Sequence, residues 1–108
     1  MQRHVTLYVG NDHSISFTGD GALKDQDGNT ISGADVEMTL LQDGTEVAGE
    51  TWPVPLSDDG GGEYSAILSS TVDIQDRQRY VLRIEAEAGG TIARWDQEVL
   101  ARRRPFAR

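Results

Sequence analysis

The chain of 108 residues contains no cysteine. That excludes a disulfide, a thiolate nucleophile and a thiolate metal site. A small domain without disulfides must be held by packing and hydrogen bonds. Histidine occurs twice, proline three times, and aromatic residues make up only 6%. No run approaches the roughly 20 apolar residues that a membrane-spanning helix needs. The opening residues MQRHVTLYVGND are interrupted by Gly10, Asn11 and Asp12 before an apolar h-region develops, so they do not read as a signal peptide. A soluble protein made and kept in the cytoplasm is expected.

Positive charge is also scarce and unevenly placed. There are 10 basic and 18 acidic residues, for a net charge of −8. Four of the basic residues, Arg102, Arg103, Arg104 and Arg108, lie in a terminal stretch, RRRPFAR, that holds no acid. The rest of the chain carries six basic against 18 acidic residues, near −12. Such a body repels nucleic acid and anionic membranes at long range. The basic stretch can therefore act only as an arm. The domain is read as residues 1–101, and the tail as 102–108.

What the chain does have is alternation with a period of two. Tyr80, Leu82, Ile84 and Ala86 alternate with Arg79, Val81, Arg83, Glu85 and Glu87, as in a half-buried strand with one wet face. Gly89-Gly90 then offers a hairpin turn, and the alternation resumes with Ala93, Trp95 and Val99 on one face. Val36, Met38 and Leu40 form an earlier strand that ends at Asp43-Gly44. A strand over 46–56 carries Trp52, Val54 and Leu56. Its Pro53 and Pro55 cannot donate to a ladder and place it at a sheet edge. SDDGGGEY reads as a loop, followed by a strand with Tyr64, Ala66 and Leu68 and a short segment with Val72 and Ile74. At the front, Val5, Leu7 and Val9 are expected to pair across Gly10–Asp12 with Ile15 and Phe17. No window has a helical stripe. Seven or eight short antiparallel strands separated by turns predict an all-β sandwich or small barrel.

Three segments, DGNTISGADVEMTL, GGEYSAIL and RYVLRIEAEAGG, occur in an order that resembles a bacterial immunoglobulin-like or fibronectin-III-like β-sandwich. The similarity spans roughly residues 25–100 and lies on the cysteine-free branch of such domains. It implies an immunoglobulin-like β-sandwich. The whole chain resembles a small phage or prophage structural protein, which implies assembly in the cytoplasm of the producing cell and a final place in the virion.

The candidate sites begin with KDQDGNTISGADV. Asp25, Asp27 and Asn29 occupy the first, third and fifth places of an EF-hand loop, and Ile31 the seventh. The sixth place, however, is Thr30 rather than glycine, and the twelfth is Val36, with Glu37 one residue late. Asp-Gly-Asn is also what a tight turn requires, so the favoured reading is a turn leading into a strand. A looser calcium site would join Asp25, Asp27 and Asn29 to Asp58, Asp59 and Glu63. No other cofactor is implied. SDDGGGEY lacks the lysine and following helix of a phosphate loop, and its two aspartates repel phosphate. Asp12, His13 and Ser14 are consecutive and cannot converge as a catalytic relay. His13 and His4 supply at most two ligands of a metal site. Trp52 and Trp95 lie in the apolar register of their strands, so packing takes precedence over sugar stacking.

These observations predict a non-enzymatic structural module. It would bind other copies of itself or other virion proteins, with no nucleic acid or membrane as partner. Arg102, Arg103, Arg104 and Arg108 are its interaction residues, with Phe106 as an anchor. The alternative is a ligand-binding module that takes calcium or a glycan on its end loops.

Overall fold

The computed structural model describes residues 5–17, 27–31 and 33–103. It is all-β, and no helix among the described residues is long and apolar enough to cross a membrane. The strands are β1 (Val5–Tyr8), β2 (His13–Phe17), β3 (Asp35–Gln42), β4 (Thr45–Glu46), β5 (Val54–Gly60), β6 (Glu63–Leu68), β7 (Arg79–Ala88) and β8 (Thr91–Arg102). They form one curled sheet, close to a barrel, in the order β1-β8-β7-β3-β5-β6-β2, with β4 paired to β3.

The central hairpin follows from its sequence. Ala88 is paired with Thr91, leaving Gly89 and Gly90 as a two-residue turn. Both take positive φ, 58° and 84°, as the primed hairpin turns require and as glycine adopts without a Cβ clash. Tyr80, Leu82, Ile84 and Ala86 enter the core, as do Val36, Met38 and Leu40 of the neighbouring β3. Leu7, Leu56, Tyr64, Leu68, Val99 and Ala101 close the cluster from the other strands. Each large aliphatic side chain buried there contributes about 1.5–3 kcal/mol of transfer free energy. Among the described residues no buried side-chain polar atom lacks a partner.

The first two strands do not pair with each other. β1 runs parallel to β8, with Leu7 opposite Ala101, and β2 runs antiparallel to β6, with Ile15 opposite Ala66. The four residues Val9–Asp12 carry the chain from one end of the strand order to the other, so the sheet curls back upon itself. The expectation of uniformly antiparallel strands therefore fails at β1–β8. Asp12 secures the crossing, its carboxylate accepting the Ser70 N–H at 2.6 Å.

The expected strand over 46–56 is broken. Only Thr45–Glu46 pairs as β4; residues 47–53 are irregular, and β5 begins at Val54. Gly49 has φ 97°, and a Cβ on it would collide with the Thr71 carbonyl. Ala48 and Gly49 are instead bonded to the 71–73 segment, through Asp73 N–H to the Ala48 carbonyl and Thr71 Oγ to the Gly49 carbonyl, both at 2.8 Å. That segment, with the buried Val72, and Ile74 just after it are not part of a strand. The expectation of an edge strand fails: β5 lies between β3 and β6, with Pro53 outside it and Pro55 paired to Glu37 on one side only.

The loop expected at SDDGGGEY is a hairpin. β5 continues to Gly60, turns at Gly61–Gly62 and returns as β6, with a bulge between Asp58 and Gly60. Within β5, Val54–Leu56 pair with β3 and Ser57–Gly60 pair with β6, so one strand serves two partners. The basic stretch also starts inside the fold. Arg102 closes β8, and the Arg103 N–H donates to Asp76 Oδ1 at 2.8 Å.

Candidate functional site

The calcium candidates divide between the 27–31 turn and the β5–β6 hairpin, which are joined at the Ile31 carbonyl and the Gly33 N–H. Asp27 and Asn29 are exposed where the 27–31 segment turns at Gly28, and Asp25 lies outside the described residues. Asp58 links the two parts: Oδ2 accepts the Gly33 N–H at 2.6 Å, and Oδ1 accepts the Gly60 N–H at 2.8 Å. Asp59 accepts the Ser65 hydroxyl at 2.6 Å. Both oxygens of Asp58 are therefore engaged with main-chain donors, which makes it a clamp on loop geometry. Among the described residues no group of three or more acidic or histidine side chains is arranged to hold a metal ion.

Tyr64 completes this clamp from below. Its ring is fully buried, its hydroxyl donates to the Ile31 carbonyl at 2.8 Å, and it accepts the Ala34 N–H at 3.1 Å. The small Ala34 lets the lead-in to β3 lie against the tyrosine. At the opposite end, the Tyr80 hydroxyl accepts the Gln75 N–H at 2.8 Å, fixing the approach to β7. Neither hydroxyl was singled out from the sequence, because alternation identifies a buried ring but not the main-chain atom its oxygen meets.

The remaining candidates have structural partners. His13 Nε2 accepts the Tyr8 N–H at 2.9 Å, and its ring stacks on Tyr8 with centroids 6.2 Å apart. His4 lies outside the described residues. Trp52 donates its indole N–H to the Val47 carbonyl at 2.6 Å, and both tryptophans pack against the core. Arg102 and Arg103 are exposed, whereas Arg104, Phe106 and Arg108 lie outside the described residues.

The most ordered arrangement of charge is on the outer face of β3, β7 and β8. Arg83 grips Asp96 with two bonds, 3.0 and 3.2 Å, across the β7–β8 pair. Arg94 grips Glu85 at 2.8 and 3.2 Å, and Arg79 lies 3.8 Å from Glu98. The hydrogen bond from Arg83 holds the Asp96 carboxyl below its ordinary range, and the same bond raises the Arg83 guanidinium. Towards the Gly89–Gly90 turn the pattern changes. Asp35 is directly opposite Glu87, and Glu37 directly opposite Glu85. Like charges at such positions repel. Asp35, Glu37 and Glu87 have no cationic partner among the described residues. Beside them Ile92, paired with Glu87, is 67% exposed. Shallow depressions run between these side chains, one lined by Asp35, Glu37, Glu85, Glu87 and Ile92, the other reaching Pro55 and Leu56. Alternation had marked these residues only as a wet face, since cross-strand neighbours depend on register.

Compared with known protein families, with curated proteins and with solved structures, the chain matches none. Fold and surface together define an all-β domain with a charge-patterned sheet face.

Proposed function

We propose that this protein is a non-enzymatic structural module, an immunoglobulin-like β-sandwich that assembles through its surface with copies of itself. Two features support the sandwich. β1 lies parallel beside the last strand while β2 joins β6 and β5, and β7 lies between β3 and β8, an arrangement compatible with Greek-key sandwiches. The Tyr80 hydroxyl, near the start of β7, bonds the main chain five residues upstream, the geometry of the tyrosine corner of these domains. The resemblance to small phage structural proteins makes a virion, with neighbouring virion proteins as further partners, the setting of this assembly.

The observation that carries the assembly reading is the division of the β3–β7–β8 face. One half is neutralised by cross-strand ion pairs, and the other is acidic, without a cationic partner among the described residues, and edged by an exposed isoleucine. Sheet surfaces facing only water avoid directly opposed like charges. A partner bringing cations would relieve them. Sedimentation of the full chain over a concentration series tests the reading. A weight-average mass that rises with concentration is expected; a constant monomer mass over the series rejects it.

A further inference from the structure

We infer that the occupant of the acidic half of this face is the basic stretch of a second copy, through Arg104, Phe106 and Arg108. The inference rests on the assembly reading and adds the two surfaces that meet. The first ground is charge complementarity. Asp35, Glu37 and Glu87 lack a cationic partner among the described residues, while the chain concentrates four of its 10 basic residues in RRRPFAR. The second is apolar matching. Ile92 is one of two large hydrophobic residues exposed among the described residues, and it borders the carboxylates as Phe106 lies among the arginines in sequence.

The third ground is reach, which excludes the chain's own arm. Arg103 is held at Asp76, at the end of the β7–β8 hairpin opposite the Gly89–Gly90 turn. Ile92 lies eleven residues back along β8, about 37 Å away at the rise of a strand. Phe106 is three residues beyond Arg103, at most about 11 Å of extended chain. Even Arg108 falls about 19 Å short in its backbone. The contact therefore forms between molecules, with one copy's arm on the next copy's turn end. Such a head-to-tail contact is heterologous, and it closes into a ring or continues as a filament according to the rotation per step.

Two measurements on the full chain test this. A synthetic peptide, RRRPFAR, is titrated into the R104Q/R108Q variant while amide shifts are followed by NMR. Saturable shifts grouped around Glu87 and Ile92, lost in the added presence of E37Q/E87Q, are expected. Shifts elsewhere, or none, overturn the inference. In the second measurement, R104E/R108E and E37R/E87R are examined alone and mixed. Each is expected to weaken self-association by about tenfold or more, and the mixture to restore it. If the parent associates and neither variant weakens it, the assembly reading survives and this contact is rejected. If the peptide binds at Ile92 but the parent remains monomeric, the docking surface is upheld and self-assembly is the part that fails.

Discussion

Tyr64 and Tyr80 each bury a ring and turn a hydroxyl onto main chain that no strand partner satisfies. They differ in what is lost without the oxygen. Tyr64→Phe leaves both the Ala34 N–H and the Ile31 carbonyl without that partner, and is expected to cost about 2 kcal/mol. Tyr80→Phe leaves only the Gln75 N–H, which can turn to water, and is expected to cost about 1 kcal/mol. Urea midpoints of the two variants check the order; a larger loss for Tyr80→Phe would contradict this assignment. The pair Arg83–Asp96 makes a prediction in pH. Because Asp96 titrates below the ordinary carboxylate value of 3.8, its contribution is complete above that value and is lost as pH falls through the depressed one. Asp96→Asn is therefore expected to be less stable than the parent near neutrality and to converge with it in acid. A difference unchanged by acidification would show that the pairing is not what Asp96 supplies. At this scale the buried rings were readable from alternation. The partners of the Tyr64 hydroxyl and the Asp58–Gly33 bond were not, because they join residues 25 or more positions apart. The shorter-range Tyr80–Gln75 and Asp58–Gly60 bonds were missed because alternation says nothing of main-chain partners.

Among the elements, those with a strong local cause were the readable ones. Asp43-Gly44 and Gly89-Gly90 each specify a two-residue turn, and the flanking apolar register fixes which face is buried. The failures have a different origin. β1 and β2 are separated by only four turn-like residues, yet β1 pairs with the distant β8 and β2 with the distant β6. Asp58–Gly60 extends β5 without any apolar residue because ladder bonds to β6, not burial, hold it there. The 47–53 interruption depends on the distant 71–73 segment, invisible to a local pattern. Gly49→Ala tests that dependence. Positive φ and the collision with the Thr71 carbonyl are expected together to cost about 3 kcal/mol. A thermal midpoint equal to the parent's would mean that the two segments can separate without loss.

For the whole molecule, the composition showed an acidic body with a basic arm, but not where the acids gather. That required the register, which aligns Asp35 with Glu87 and Glu37 with Glu85, and the ion pairs that neutralise the rest of the face. The calcium alternative placed an ion between the 25–33 and 57–63 loops; of these the described residues show Gly33 bonded to Asp58. The clamp accounts for Asp58 without an ion. The central claim is that opposite charges on identical molecules hold the assembly together. Its most direct test is the absolute mass of the full chain by light scattering after gel filtration, at low and at high salt. A multimer at low salt that falls to monomer as the screening length shrinks to about 3 Å near 1 M is predicted. A mass that stays the same at both salt concentrations, monomer or multimer, would contradict it.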